Sequence, residues 1–581
     1  MIKMKTIKFL SLFLIGFSLQ AQDLQQAKNA IDAEQYQKAK TILKSLVNSN
    51  ADRGENFFYL ADIYLIQKDQ DSAKIYLDRG LQAKNNSHFN YIGLGHIDLN
   101  NNNIQGATTN FNKALENIKR RDTEELIQVG RAYINSDNPN YKKAIEHLTK
   151  AIQADPKSAQ ALLYLGDAHL GDKNTNDAFR SYRDAIDLDK GLKRAKLQMA
   201  VITKNAKAFN EAIKALNDLK NSDPNYGPVY RELAETYYYW GTDNVSKYQE
   251  YNATALENYR KYMSLTDTSL DSRMRYADFL ILTKDYATLE VEANKMKVEQ
   301  NVNPRIYRYL GYAAFENKNY QESVDALTNF FQKGKKFISK DYITLAKAKL
   351  AMSKKDGQII DEAKFEEALT DLETAVKQDS SFGGEFSELG EELYKEKLYF
   401  AAAKVFSYAV QDKSSATHTL DNMYLGNAVL FYASGVQSEK AEAGEAFTDE
   451  EKTEIIELLE KGSLAYESVV EASPTTQDAH ANRAKINRII DTITPNEAAI
   501  QKAVESYENY ITVVNDKGEA ELSKERTKRE LLAGHMFLGA EYTKNDDKAK
   551  ALEHFRTALT LNPTEANENY IKDSISVLTG N

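Results

Sequence analysis

A spaced pattern of small and bulky residues recurs along this chain and constrains its fold more than any other feature. One copy fills residues 159–190, AQALLYLGDAHLGDKNTNDAFRSYRDAIDLDK, and another lies near the C-terminus. In both, a Leu-Gly pair is followed by two alanines that flank an aromatic residue. The first copy has Leu165, Gly166, Ala178, Tyr182 and Ala185, and the second has Leu538, Gly539, Ala551, Phe555 and Ala558.

This spacing predicts pairs of closely packed helices. Apolar residues at i, i+3, i+4 and i+7 form one face of a helix. The distance between two helices is set by the side chains at their crossing point, so small residues are needed there. Gly166 and Ala178 therefore let the two helices approach, while Leu165 and Tyr182 fill the space between them.

The pattern resembles the tetratricopeptide repeat (TPR), a helix-turn-helix motif of about 34 residues. The resemblance implies an all-α fold, a right-handed superhelical solenoid of stacked helix pairs. The same register placed along the chain predicts about fourteen units. Their starts are expected near Gln20, Gly54, His88, Thr123, Ala159, Lys193, Gly227, Leu270, Pro304, Ser339, Gly383, Thr419, Gln477 and Leu532.

Departures from the period suggest how the chain is organised. The acidic segment 434–454 is expected to be either a mobile loop or a lengthened charged helix. The charged segment 517–530 and the weak unit near Leu270 are the candidate joints between rigid arms. The expected divisions are a leader at 1–21, N-terminal units at 22–192, central units with inter-helix insertions at 193–433, the acidic insertion at 434–454, C-terminal units and a charged linker at 455–530, and a final unit with its capping helix at 531–581.

Composition excludes several classes of protein. Charged residues make up 28% and apolar residues 42% of the 581, which is typical of water-soluble helical structure and not of disorder. The formal net charge of −10 argues against nucleic acid or anionic lipid as the main partner. The chain contains no cysteine, so it has no disulfides and its stability must come from stacked helices.

The first 21 residues resemble a secretory signal peptide. Lys3, Lys5 and Lys8 precede an apolar run, FLSLFLIGFSL, which ends at Gln20 and Ala21. The run is too short to span a bilayer, and no later stretch approaches about 18 consecutive apolar residues. We expect cleavage after Ala21 and export to the periplasm of a Gram-negative bacterium, with no transmembrane segment. Peripheral association with the outer membrane and the oligomeric state stay open.

Motifs that carry enzyme chemistry are missing from the sequence. It has no HExxH zinc motif, no GxxxxGK phosphate loop, no GxSxG elbow and no cysteine nucleophile. His88 and His96 lie eight residues apart on one expected helix, which is more than two turns, and no third ligand is evident. We therefore expect a protein that is not an enzyme and has no catalytic residue, no metal and no cofactor.

The resemblance to TPR proteins also implies a concave groove lined by the first helix of each pair. In that family the second, fifth, ninth, twelfth and thirteenth positions of a unit face the groove. Arginine beside aromatic residues is typical of binding hot spots. The candidate partner-binding residues in this register are Arg231, Glu235, Tyr238, Arg308, Tyr312, Phe315 and Tyr394.

These observations favour an exported, non-catalytic scaffold for protein–protein interactions in the bacterial cell envelope, with secretion or outer-membrane assembly as its setting. A preformed groove binds a partner segment without the cost of ordering the scaffold. The alternative is a periplasmic glycan-binding protein in which groove tyrosines such as Tyr312 and Tyr394 stack on sugar rings.

Overall fold

The computed structural model describes residues 23–580 except 117, 120, 121, 268, 299–302 and 357. The leader and the expected first start at Gln20 lie outside this part of the chain. Contacts between residues divide the chain after Val298 into two compact units. The division follows the unit near Leu270, which was one of the two expected joints.

The first unit is built from consecutive antiparallel helix pairs. Its helices are α1 (residues 23–32), α2 (Tyr36–Ser49), α3 (Gly54–Ile66), α4 (Gln70–Gly80), α5 (Phe89–Asn100), α6 (Ile104–Leu115), α7 (Glu124–Asn135), α8 (Tyr141–Ala154), α9 (Ala159–Gly171), α10 (Thr175–Leu188), α11 (Lys193–Asn205), α12 (Phe209–Ser222), α13 (Gly227–Asp243), α14 (Tyr248–Leu265), α15 (Leu270–Leu282) and α16 (Tyr286–Lys297).

The second unit follows the same plan and adds a two-stranded hairpin, β1 (Lys354–Lys355) with β2 (Gln358–Ile359). Its helices are α17 (Arg305–Glu316), α18 (Tyr320–Lys333), α19 (Ser339–Ser353), α20 (Glu362–Gln378), α21 (Gly383–Lys395), α22 (Tyr399–Ala409), α23 (His418–Ala443), α24 (Asp449–Ala472), α25 (Gln477–Ile493), α26 (Glu497–Asp516), α27 (Glu519–Leu522), α28 (Glu525–Lys544), α29 (Lys548–Leu559) and α30 (Glu565–Thr579).

The all-α solenoid of helix pairs is confirmed, and so is the register. The described residues form fourteen pairs, α1–α16 giving eight, α17–α26 giving five and α28–α29 one more, and α30 closes the array. Most first helices begin within one residue of the expected start. The last pair is the exception, because α28 begins at Glu525, seven residues before the expected Leu532.

Small residues of the first helix receive a large side chain from the second, as the pattern predicts. A Cβ added to Gly166 would lie 2.4 Å from Cε1 of Tyr182, whose ring is fully buried. A Cβ at Gly311 would lie 2.5 Å from Cγ of Leu327. The facing partner of Gly166 is thus the tyrosine ring and not Ala178, since a glycine makes room for the bulkiest neighbour.

The insertions become longer helices. The acidic segment 434–454 adds turns to the end of α23 and the start of α24, joined by Gly444 in the left-handed conformation at φ 69°. Thr448 begins α24 with a reciprocal capping pair, in which its hydroxyl bonds the Glu451 N–H and the Glu451 carboxylate bonds the Thr448 N–H. Of the two expected forms, the lengthened charged helix is the one observed.

The charged segment 517–530 forms the short helix α27 and the first turns of α28. Glu521 accepts hydrogen bonds from Gln477 at 2.8 Å and from Thr527 at 2.8 Å. The bond from Gln477 attaches the segment to the start of α25, and the bond from Thr527 joins α27 to α28, so the segment is part of the packed array.

We predict that Gly311→Ala lowers the free energy of unfolding of the second unit by about 1–3 kcal/mol, because the added Cβ overpacks Leu327. The matched control is Gly435→Ala in α23, where no described atom lies within 4 Å of the added Cβ. Alanine there should raise stability by up to about 1 kcal/mol through helix propensity. Amide hydrogen exchange in α17, α18 and α23 measures the stability change in each variant. Equal changes in Gly311→Ala and Gly435→Ala would contradict the explanation that overpacking of Leu327 causes the loss.

Candidate partner-binding grooves

In the second unit, the first helices of four successive pairs line one open groove of about 750 Å³. This volume lies in the range of pockets that bind ligands or a few side chains. We call it the Tyr394 groove. Its main lining residues are Tyr394 of α21, Met423, Asn427, Leu430 and Phe431 of α23, Asn482, Arg488 and Ile489 of α25, and Arg526 of α28.

Aromatic rings form the apolar part of this groove. The ring centre of Tyr394 lies 5.2 Å from that of Tyr424 and 6.3 Å from that of Phe431. Phe431 also lies 5.2 Å from Tyr399, yet it is 46% exposed. Burial raises the pKa of Tyr394, so its hydroxyl stays neutral and can donate or accept a hydrogen bond.

A cation with few internal partners lies beside these rings. Arg488 donates from Nη1 to the Tyr507 hydroxyl at 3.2 Å, and its guanidinium lies 5.1 Å from the ring centre of Phe537. Among the described residues it forms no ion pair. Arg526, by contrast, pairs with Asp478 at 3.0 Å. An arginine held flat by an aromatic ring is preorganised to bind a carboxylate.

The first unit has a polar cavity of about 1100 Å³, which we call the first-unit cavity. Arg131 of α7, Arg194 of α11 and Arg231 of α13 line it. The Tyr164 ring centre lies 5.1 Å from the guanidinium carbon of Arg131 and 5.1 Å from that of Arg194. Each arginine also bonds a carboxylate: Arg131 bonds Asp62 at 3.2 Å, Arg194 bonds Asp167 at 2.6 Å, and Arg231 bonds Glu34 at 2.6 Å.

Two further properties hold for the described residues. No cluster of three or more histidine, aspartate or glutamate side chains could hold a metal ion. No helix in this part of the chain is both long enough and apolar enough to cross a membrane.

Two models of the tetratricopeptide repeat match the chain, one over residues 130–192 and one over residues 533–565. These segments include parts of the two copies from which the repeat pattern is most easily read. The chain therefore contains tetratricopeptide repeats. TPR arrays form extended concave surfaces for protein–protein interaction, and the fold is generally a non-catalytic scaffold.

Similarity to individual proteins is partial. The CTR9 homolog of Arabidopsis thaliana is 32% identical over 119 residues, which is 20% of this chain and 11% of that protein. The solved C-terminal part of a TPR repeat-containing protein from Cytophaga hutchinsonii is 20% identical, covers 52% of this chain and 98% of its own, and has a TM-score of 0.25. A TPR protein from Parabacteroides merdae is 15% identical, covers 51% and 98%, and has a TM-score of 0.29.

On α13, the TPR register brings Arg231, Glu235 and Tyr238 to one face, but the chain itself contacts all three. Arg231 bonds Glu34, as described above. Glu235 accepts a hydrogen bond at 2.5 Å from Lys204, a buried lysine of α11. Tyr238 is half-buried, with its ring centre 6.0 Å from that of Phe279 in α15. These contacts stabilise the stacking of neighbouring pairs.

Arg308 and Tyr312 of α17 meet at one buried carboxylate. Asp341 is fully buried and accepts bonds from Arg308 Nε at 2.7 Å, Arg308 Nη2 at 2.8 Å, the Tyr312 hydroxyl at 2.8 Å and the Ile338 N–H at 2.8 Å. The expectation that Tyr312 lies on the groove surface is corrected, since it is 4% exposed. Its hydroxyl is held inside because Asp341, at the start of α19, requires buried donors.

Phe315 and Tyr394 have different surroundings. Phe315 is half-buried near the end of α17, 5.9 Å between ring centres from Tyr320. Of the expected residues, Tyr394 is the one that lines the Tyr394 groove. Partner binding by any of the seven candidates remains a prediction.

The sequence analysis missed Phe431 and Arg488. Both occupy groove-facing positions of the TPR register, as the thirteenth residue of the unit at Thr419 and the twelfth of the unit at Gln477. The register positions could therefore have identified both residues, but the long insertion after Phe431 makes the repeat harder to recognise there.

We predict that Asp341→Asn lowers the free energy of unfolding of α17–α19 by about 3–5 kcal/mol, because it leaves the half-buried Arg308 guanidinium without its counter-charge. Asp325→Asn on the exposed face of α18 is the control, expected within about 0.5 kcal/mol of the wild type. Denaturant unfolding followed by amide exchange in these helices is the measurement. Equal losses of free energy of unfolding in Asp341→Asn and Asp325→Asn would show that the bonds of Asp341 to Arg308 and Tyr312 are not the stabilising contact.

Proposed function

We propose that this protein is an exported, non-catalytic TPR scaffold of the bacterial cell envelope that binds partner proteins in secretion or outer-membrane assembly. The Tyr394 groove is the proposed partner-binding site. The observation that carries the proposal is the exposed Phe431 ring, packed against Tyr394 and Tyr399 at the floor of a groove built from first helices.

The groove combines the two side-chain types that dominate binding hot spots. Tyrosine and arginine are enriched among the interface residues that contribute most to binding free energy. Here Phe431 and Tyr394 supply the apolar anchor, and Arg488 supplies a nearby cation. The matching partner segment has an apolar or aromatic side chain for the floor and a carboxylate within reach of Arg488.

The aromatic cluster is already assembled without a partner. Tyr394, Tyr399, Tyr424 and Phe431 hold one another at ring-centre separations of 5.2–6.3 Å. Binding therefore costs the conformational entropy of the partner's segment but not that of the groove. Binding in this mode needs no rearrangement of α21 or α23.

Location in the envelope is proposed from the sequence. The first 21 residues have the composition and order of a signal peptide. A leader of this kind predicts a mature chain that begins at Gln22.

Glycan binding is a second candidate because amides share the groove with the aromatic rings. Asn427 accepts hydrogen bonds from Tyr466 at 2.7 Å and Asn482 at 3.2 Å, so its side chain is fixed beside Tyr394. An aromatic face and fixed amides are chemistry that also suits a sugar ring. The proposed experiment separates the two.

We predict that a photoreactive phenylalanine at position 431, in intact cells, gives a discrete protein adduct. The same residue at position 464 is the control, because Leu464 is 58% exposed on α24, the second helix of that pair. Mass spectrometry identifies the adduct. Adducts at both positions, or at neither in a folded protein, would contradict the proposed site. Oligosaccharide binding that is lost in Tyr394→Ala would instead favour the glycan candidate.

We also predict that the mature protein is found in the periplasm and begins at Gln22. Cell fractionation followed by N-terminal sequencing measures both. Replacing Leu12 and Leu14 by arginine should interrupt the apolar run and leave the uncleaved chain in the cytoplasm. An unprocessed wild-type chain in the cytoplasm would contradict export but would not contradict partner binding at the Tyr394 groove.

A further inference from the structure

We propose that the first-unit cavity is a second binding site, specific for an acidic segment of a partner protein, and that Asp32 and Glu34 occupy it in this structure as an internal stand-in. This inference rests on the proposed protein-binding function but concerns a different unit and a different chemistry. The two carboxylates lie at the end of α1 and in the turn that follows it.

Glu34 makes contacts that a ligand carboxylate would make. Its Oε1 accepts from Arg231 Nη1 at 2.6 Å, and its Oε2 accepts from the Tyr262 hydroxyl at 2.5 Å. Its backbone carbonyl accepts from the Asp267 N–H at 3.2 Å. Burial raises the pKa of Glu34, but Arg231 and Tyr262 more than offset this and hold the pKa below its usual value. The carboxylate is therefore charged.

The conformation of the turn does not require an acidic residue at position 34. Glu34 has a positive φ of 57°, and so do the corresponding turn residues of later pairs. Six of those residues are lysines, Lys68, Lys173, Lys207, Lys284, Lys318 and Lys397, and the other two are Asn102 and Asp546. The left-handed turn therefore accepts residues of either charge, so the backbone does not require an acid at Glu34, and its bond with Arg231 is a feature of this turn.

Asp32 is a second carboxylate of the cavity lining, one residue away from Glu34. Burial raises the pKa of its carboxyl, and the positive charge of Arg194 acts in the opposite direction. A partner segment with two carboxylates at that spacing could occupy both positions.

The cavity also retains a donor that the chain does not satisfy. Arg131 is 9% exposed and lines the cavity, and its Nε has no hydrogen-bond partner among the described atoms. A buried guanidinium N–H without an acceptor costs free energy. Arg131, Arg194 and Arg231 all line the cavity, so their combined positive charge favours an anionic segment there.

The internal acid competes with any such partner. A carboxylate on the same chain acts at an effective concentration in the millimolar range, which weakens binding of a free acidic peptide. Removing the charge of Glu34 removes the competitor without changing the arginines. The site should then bind external acidic segments more tightly.

The test uses the full chain and a fluorescent heptapeptide with the sequence of residues 30–36, AIDAEQY. We expect Glu34→Gln to bind it at least about 10-fold more tightly than the wild type by fluorescence anisotropy. A peptide with asparagine and glutamine in place of its two acids should bind weakly. Lys173→Gln, at the equivalent turn between α9 and α10 and outside the lining of the cavity, is the matched control and should behave like the wild type.

Amide exchange provides an independent readout. The Asp267 N–H should exchange faster in the wild type at saturating peptide than without peptide, because a bound peptide displaces the turn whose Glu34 carbonyl accepts from it. Adding Arg231→Gln to Glu34→Gln should abolish the gain in affinity. Equal affinities of wild type and Glu34→Gln, equal binding of the neutral peptide, or unchanged Asp267 exchange would each overturn the proposal. Tyr394→Ala should leave these results unchanged, which separates failure here from failure at the Tyr394 groove.

Discussion

The fold depends on close approach of two helices at a residue with little or no side chain. In several pairs a glycine of the first helix faces a large side chain of the second, as Gly166 faces Tyr182 and Gly390 faces the Phe406 ring at 2.8 Å from an added Cβ. The contact sets the separation within the pair, and successive pairs then stack on their neighbours. This is why a short pattern of glycine, alanine and aromatic residues specifies so much of the chain.

The sequence could predict this part because the packing signal is local. Gly54, Ala159 and Gly383 begin helices where the register places them, since each pair repeats the same spacing. The insertions were harder to predict. Segment 434–454 lacks a sustained apolar face, yet it extends α23 and α24 because helix continuation and the Thr448–Glu451 cap satisfy its backbone.

Groove residues were less predictable because a register position does not determine what a side chain bonds. Arg308 and Tyr312 occupy groove-facing positions, but Asp341 from the next pair bonds both. Nothing in α17 alone indicates this contact, since it depends on the first residues of α19. Phe431 is 46% exposed even though its ring lies beside those of Tyr394 and Tyr399.

A general distinction follows between the two kinds of residue on the first helices. Charged side chains often find partners on neighbouring pairs, as Arg194 finds Asp167 and Asp421 finds Ser387 at 2.5 Å, and thereby fix the stacking. An aromatic side chain is available to a partner where it stays exposed, as Phe431 does, and not where its hydroxyl is bonded inside the array, as that of Tyr312 is. A charge that has an internal partner is available only where that partner can be exchanged for an equivalent external one. In the proposed first-unit site Arg231 meets that condition, because the turn that carries its partner Glu34 accepts other residues in later pairs.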